Sequence, residues 1–136
     1  MFSNDLLQAY LNTSYEVKDL DIQIRIGQVD RRLERLLGEL NMEEWAFITA
    51  YNPRSAVLTD DENSLRHQEL MGDVSQLTYF EGHGVGEDPA WKPEKSLLIL
   101  GINRGSAIEL GRKYGQNAIV IGEKGMAAEL LITLSD

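Results

Sequence analysis

Polar side chains able to bind a ligand gather around one apolar segment of the chain, residues 45–51, which ends at Asn52 and Pro53. Amide, hydroxyl, carboxylate and guanidinium groups placed where a hydrophobic strand stops can orient a small polar or anionic ligand. The candidate ligand-binding residues are Asn52, Arg54, Ser55, Asn63, Arg66, Glu94 and Gln116. The alternative for Asn52 is local, because asparagine side chains often cap the turns in which they lie.

Glu94 is the one candidate for catalysis. It precedes the apolar run 96–102, at the entry to a strand that we expect to be buried. A carboxylate there could act as a general base if desolvation raised its pKa. The more common arrangement is a carboxylate that binds backbone amides or an arginine. Gln116, just after Gly115, could likewise serve only hydrogen bonding within a loop.

The motif Gly82-His-Gly-Val-Gly86 is rich in glycine but lacks the spacing of a dinucleotide fingerprint. Acidic residues and a proline follow it, where a nucleotide-binding motif would open a helix. We therefore predict a flexible loop within a long irregular connection, residues 81–94.

Residues 101–106 lie between a predicted strand and a predicted helix. Free amides at the helix start, together with Arg104, could bind an anion. An ordinary helix cap by Asn103 or Ser106 accounts for the same residues and is the more common arrangement.

His67 and His83 are the only histidines, and the chain has no cysteine. Neither histidine lies in a zinc-binding or nucleophile pattern. We expect both to have surface or structural roles, and we expect neither a metal nor a cofactor.

Segment 45–51 is predicted to be an interior strand. Alternate residues of an extended chain point to opposite faces, and both faces of this segment are apolar. Such a strand is usually covered on both sides. Pro53 ends the strand because it has no amide hydrogen, and Asn52–Ser55 fits a type I turn.

The remaining elements follow from hydrophobic periodicity and caps. Strand 22–26, helix 29–40 and strand 45–51 form a strand–helix–strand unit, which favours a parallel pair with a right-handed crossover. Thr59 to Glu62 is a capping box that starts another helix. We also predict helices 5–11 and 103–114 and strands 77–80, 96–102, 118–121 and 129–134, the last two as an antiparallel hairpin. The predicted fold class is α/β or α+β, a single domain over 1–136 with a mixed sheet of about five or six strands and three to four helices.

Composition narrows the class of protein. The chain has 136 residues, 43% of them hydrophobic and 26% charged, with a net charge of −9. An acidic body argues against a nucleic-acid binder. No apolar run is long enough to span a membrane, and the first residues lack the pattern of a secretory signal. We expect a cytoplasmic protein without disulfides.

Several segments together resemble the bacterial domain-of-unknown-function family 3293. They are Phe47–Ser55, Glu62-Asn63-x-x-Arg66, Gly82-x-Gly84, Trp91 with Glu94-x-Ser96, and Gly115–Ile119. The resemblance extends over about residues 10–133. It implies a small bacterial domain without an established activity, and so it assigns no catalytic residues.

Three functions fit the sequence. The leading interpretation is a binding domain for a small polar or anionic ligand at the carboxyl end of strand 45–51. The alternative is an acidic protein-interaction module, of the inhibitor or immunity type, that covers a basic protein partner. The third is an enzyme that uses Glu94 as a general base.

Overall fold

Strand β3, residues Glu44–Thr49, has a partner strand on each side and a hydrophobic layer on each face. It pairs with β5, Glu94–Leu100, and with β6, Ala118–Glu123. Trp45 and Phe47 pack into one buried cluster, whereas Ala46 and Ile48 pack into another. The prediction of an interior strand is confirmed.

The computed structural model describes residues 2–134 and has an α+β fold. The helices are α1 (Asn4–Leu11), α2 (Arg31–Leu40), α3 (Asp60–Asp73) and α4 (Arg104–Lys113). The remaining strands are β1 (Ser14–Val17), β2 (Ile22–Ile24), β4 (Thr78–Val85) and β7 (Glu129–Ile132). No helix in residues 2–134 combines the length and the apolar character needed to cross a membrane.

The seven strands form one sheet in the order β2-β1-β4-β5-β3-β6-β7, one or two strands more than predicted. Each adjacent pair of these strands is antiparallel. The predicted hairpin of the last two strands is confirmed. The sheet curls, and an isolated parallel bridge joins Ile26 to Ala128, next to its two outer strands.

The predicted parallel pair of β2 and β3 is wrong, because three strands lie between them. The physical reason is a local hairpin. Residues 18–20 form a short turn that ends at Asp21 in the left-handed conformation, and β1 and β2 then pair directly. β1, the strand closest to β2 in the sequence, therefore takes the pairing position beside β2.

The helices divide between the two faces of the sheet. Leu33 and Leu37 of α2 lie in the cluster that contains Phe47. Leu70 of α3 and Ala107 of α4 lie in the opposite cluster, against Ile48. The sheet therefore has a hydrophobic layer on each side, as a strand with two apolar faces requires.

Caps fix the helix bounds. Helix α2 starts at Arg31, two residues later than predicted, because the Asp30 carboxylate accepts a hydrogen bond from the Leu33 amide at 2.9 Å. Val29 is left half exposed, outside the helix. The capping box of Thr59 and Glu62 is confirmed at the start of α3. Asn103 caps α4 by accepting from the Ser106 amide at 2.8 Å, so this helix start has an ordinary cap.

The predicted flexible loop at Gly82–Gly86 is wrong over most of its length. Gly82 and Gly84 lie inside β4, between β1 and β5. A Cβ on Gly82 would overlap the carbonyl oxygen of Glu16 in β1. Glycine is present here because the neighbouring strand comes too close for a side chain. The irregular connection is confined to residues 86–93.

Candidate functional site

The turn after β3 is strained. Asn52, Arg54 and Ser55 have φ angles of 48°, 54° and 63°, a left-handed conformation that side chains disfavour. The predicted type I turn is wrong, because its third residue would need a φ near −90° and Arg54 has φ 54°. The Arg54 amide donates to the Gly115 carbonyl at 2.7 Å, which ties the turn to the end of α4. Strained residues of this kind cluster at functional sites.

The side chain of Asn52 connects three parts of the chain. Its Oδ1 accepts from the Leu58 amide at 3.0 Å and from Nδ2 of Asn63 at 2.9 Å. Its Nδ2 donates to Oε2 of Glu94 at 2.8 Å. The Asn52 amide in turn donates to Oδ1 of Asn63 at 2.9 Å. Asn52 therefore bonds well beyond its own turn and holds α3 and β5 beside it.

Glu94 is the titratable group of this network. It is the first residue of β5 and is partly buried. Burial raises the pKa of the Glu94 carboxyl, and the hydrogen bond from Asn52 opposes that rise. The hydrogen bond to Glu94 comes from the side-chain amide of Asn52 and not from backbone amides or an arginine, which are the more common partners of a carboxylate at such a position.

Tyr10 of α1 belongs to the same region, although the sequence did not point to it. Burial, and then the nearby charge of Glu94, raise the pKa of Tyr10 to about 12. The Tyr15 hydroxyl donates to the Tyr10 carbonyl at 3.0 Å and so fixes α1 against the sheet. Tyr10 lies in the predicted helix 5–11, but no local pattern indicates that this helix meets β5.

Arg66 and Gln116 have structural partners. Nε of Arg66 donates to the Ala50 carbonyl at 2.7 Å, and its Nη2 donates to the Tyr114 carbonyl. Nε2 of Gln116 donates to the carbonyls of Tyr51 at 3.0 Å and Tyr114 at 3.2 Å. These two side chains tie the end of β3 to the end of α4 beneath the strained turn.

Arg54 and Ser55 lie on the surface of the same turn. Oγ of Ser55 accepts from Nδ2 of Asn117 at 3.0 Å. The structure thus brings all seven predicted residues to one end of the molecule. Asn52, Asn63 and Glu94 form one network, with Arg66 and Gln116 below the turn and the other two residues on top of it.

A second polar pair involves α3, one turn after Asn63. His67 is only 4% exposed, and its Nε2 lies 2.9 Å from Oε1 of Glu81. Within residues 2–134, Nδ1 of His67 is buried and has no hydrogen-bond partner. Leu65 of α3 is apolar but 66% exposed. Asn63, His67, Leu70 and Val74 form the inward stripe. Their spacing of i, i+4, i+7 and i+11 is that of one helix face. The sequence does not show this face as an apolar stripe, because two of the four residues are polar.

Two cavities lie away from the predicted residues. One, of about 150 Å³, is bordered by β2 and α2, with Leu20 and Arg35 in its wall. The other, of about 240 Å³, lies at the start of β3, with Trp45 and Arg104 in its wall. Across residues 2–134, no three histidine or carboxylate side chains are grouped so that they could hold a metal.

A family model described as a protein of unknown function, DUF3293, matches residues 48–119, more than half of the chain. The chain belongs to this family. The match is shorter than the sequence resemblance, but it runs from β3 into β6 and spans all seven candidate residues. No curated protein and no solved structure gives a significant match.

Proposed function

We propose that this DUF3293 protein binds a small polar ligand where the strained turn 52–55 meets Glu94. The observation that supports the proposal most directly is the hydrogen bond between Asn52 and Glu94, which holds a partly desolvated carboxylate at the end of β3. A carboxylate in that setting is a strong acceptor for a hydroxyl or amino group of a ligand.

Arg54 and Arg66 are the two candidate residues that could pair with an anionic group of a ligand. The sequence offered Arg66, but two of its nitrogens bond to the carbonyls of Ala50 and Tyr114. Arg54 is exposed in the same turn, and its backbone is fixed by Gly115. A ligand that carries an anionic group would therefore pair with Arg54 and place its donor near Glu94.

The test is a thermal-shift screen with sugars, amino acids, nucleotides, sugar phosphates and carboxylates. Glu94→Gln and Arg54→Ala should each reduce the shift produced by the ligands that bind. Arg31→Ala, at an exposed arginine of α2, is the matched control and should leave the shift intact. The proposal is wrong if both site variants give the same shifts as the unmodified protein. Arg66→Ala is a poor test, because it removes bonds that hold the fold.

Glu94 also supports the weakest of the three interpretations. A carboxyl whose pKa is raised by burial is suited to accept a proton as a general base. Any ligand found in the screen should therefore be checked for turnover, which Glu94→Gln would abolish.

A protein partner is the second candidate function, and one surface favours it. Trp91 is 66% exposed, and the neighbouring Lys92 lies 3.7 Å from Asp60 at the acidic start of α3. Asp60, Asp61 and Glu62 are all exposed in that first turn. An aromatic side chain beside carboxylates suits a basic protein partner. A pull-down at low and high salt tests this, and Trp91→Ala should remove any partner captured at low salt.

A further inference from the structure

Glu94 and Tyr15 point to the same side of the sheet, with a glycine between them. Glu94 is paired directly with Gly84 of β4, and Gly84 is paired directly with Tyr15 of β1. Directly paired residues of antiparallel strands project from one face, and here it is the face that carries Phe47. A Cβ on Gly84 would make only ordinary contacts, at 4.0 Å from the Tyr15 ring and 3.9 Å from the Thr13 methyl. The absent side chain therefore leaves space beside the Glu94 carboxylate.

Tyr10 brings a hydroxyl group to the same region. The Tyr15 hydroxyl donates to the Tyr10 carbonyl at 3.0 Å and so holds the end of α1 on this face of the sheet. Burial and then the charge of Glu94 raise the pKa of Tyr10 to about 12, while a hydrogen bond from the Ala118 backbone lowers it. Tyr10 is therefore protonated at neutral pH. Because its oxygen accepts from the Ala118 amide, its own proton is available to a ligand.

The Glu94 carboxylate and the Tyr10 hydroxyl lie near each other without a hydrogen bond between them. The charge of Glu94 acts on Tyr10, but within residues 2–134 the side chain that donates to Glu94 is that of Asn52, at Oε2. Oε1 of Glu94 has no partner among these residues. It is not one of their enclosed unpaired atoms, so a ligand can reach it.

A hydroxyl group of a ligand would satisfy both side chains at once. Glu94 needs a donor, and the proton of Tyr10 needs an acceptor. A hydroxyl group donates one hydrogen bond and accepts two, whereas an ammonium group only donates. A single hydroxyl oxygen between the two side chains therefore matches the site better than an amine does.

We propose, on the basis of the ligand binding proposed for Glu94, that the ligand is a hydroxyl compound such as a sugar phosphate. One of its hydroxyl groups donates to Oε1 of Glu94 and accepts from the Tyr10 hydroxyl. Its anionic group pairs with Arg54. Tyr10 of α1 is thereby a further ligand-binding residue.

Three phosphates of similar size test the class of ligand. Glycerol phosphate carries hydroxyl groups, aminopropyl phosphate carries an ammonium group, and propyl phosphate carries neither. Their affinities are measured by ¹⁵N–¹H NMR titration of the whole protein, in which the amide signals of Gly84 and Glu94 are followed. Glycerol phosphate should bind several-fold more tightly than either of the other two.

Tyr10→Phe tests the role of the hydroxyl group, because it retains the ring and the backbone carbonyl that Tyr15 binds. It should remove the advantage of glycerol phosphate and leave the affinity for propyl phosphate unchanged. Tyr79→Phe, at a partly buried tyrosine packed against the opposite cluster, is the matched control and should change none of the three affinities.

Gly84→Val tests the space beside Glu94, because a larger side chain would fill it. This variant should lose most of its affinity for glycerol phosphate. Gly86→Val, at a position where a Cβ meets nothing within 4 Å, is the matched control and should retain it.

The hydroxyl class is wrong if aminopropyl phosphate binds best, if the three probes bind equally, or if none of them binds. It is also wrong if the advantage of glycerol phosphate survives in Tyr10→Phe or in Gly84→Val. In each of these cases the binding function of Glu94 can still hold for another ligand. Failure of that function has a different signature, namely ligand shifts that neither Glu94→Gln nor Arg54→Ala changes.

Discussion

Asn52 and Asn63 are joined by two hydrogen bonds of 2.9 Å each. The Asn52 amide donates to Oδ1 of Asn63, and Nδ2 of Asn63 donates to Oδ1 of Asn52. This reciprocal pair attaches the first turns of α3 to the end of β3. Because the same Asn52 side chain also holds Glu94, the support of the fold and the candidate site are one network.

Asn63→Ala should destabilise the protein. Asn63 is 3% exposed, and its loss leaves the Asn52 amide without an acceptor. We expect the free energy of unfolding to fall by about 1–3 kcal/mol, measured by urea denaturation. Ser64→Ala, at an exposed position of the same helix, should change it by less than about 0.5 kcal/mol. A similarly small effect of Asn63→Ala would show that the pair is not formed.

Asn52→Gly and Asn52→Ala separate strain from hydrogen bonding. Both variants remove the side-chain bonds to Leu58, Asn63 and Glu94. Only alanine also has to adopt φ 48° with a Cβ. The glycine variant should therefore be the more stable one, by up to about 1 kcal/mol once the greater freedom of glycine in the unfolded chain is counted. If the alanine variant matches or exceeds the glycine variant in thermal denaturation, the turn is not left-handed at this residue.

Glu94→Gln should change how stability depends on pH. The pKa of Glu94 is higher in the folded protein than its ordinary value of 4.5, so the folded state binds the proton more tightly. This group thus lowers stability as the pH rises from about 4.5 through the folded pKa, and its effect is constant above that. The wild type should lose stability relative to Glu94→Gln across that window.

The comparison is made by denaturant unfolding of both proteins at a series of pH values. Glu62 and Asp73 have lowered pKa values in the fold, and they contribute equally to both proteins. Their effect therefore cancels in the difference. A difference that is flat with pH, or that changes in favour of the wild type as the pH rises, contradicts the desolvation of Glu94.

Gly82→Ala and Gly86→Ala test whether the glycine motif is a strand. A Cβ at Gly82 would overlap the Glu16 carbonyl, whereas a Cβ at Gly86 meets nothing within 4 Å. We expect Gly82→Ala to cost about 1–3 kcal/mol and Gly86→Ala to be neutral or slightly stabilising. Equal, small effects in urea denaturation would restore the flexible-loop interpretation.

Much of the local structure was readable from the sequence, because its signals are local. The two apolar faces of β3, the capping box at Thr59 and the end of α2 at Leu40 all depend on neighbouring residues. The order of the strands depends on contacts that no local pattern encodes. The β1–β2 hairpin, which excludes a parallel pair with β3, depends on the left-handed conformation of Asp21.

The candidate site was predictable in its location but not in its bonding. A polar cluster after an apolar strand indicated where Asn52, Asn63 and Glu94 would meet. Two features follow from how the helices dock on the sheet. Arg66 bonds to backbone carbonyls, and α1 brings Tyr10 near Glu94. A sequence pattern sets which face of a helix is apolar, but not which strand end it will cover.

The bridge between Ile26 and Ala128 connects the chain next to the two edge strands of the sheet. The Gly27 amide donates to the Ala128 carbonyl at 2.8 Å, and the Ala128 amide donates to the Gln28 carbonyl at 3.0 Å. Outer strands with open backbone groups invite other chains to add to the sheet. Here those strands have only three and four residues and are drawn toward each other. Short edge strands that are connected in this way offer few open backbone groups to which another chain could add in a fibril.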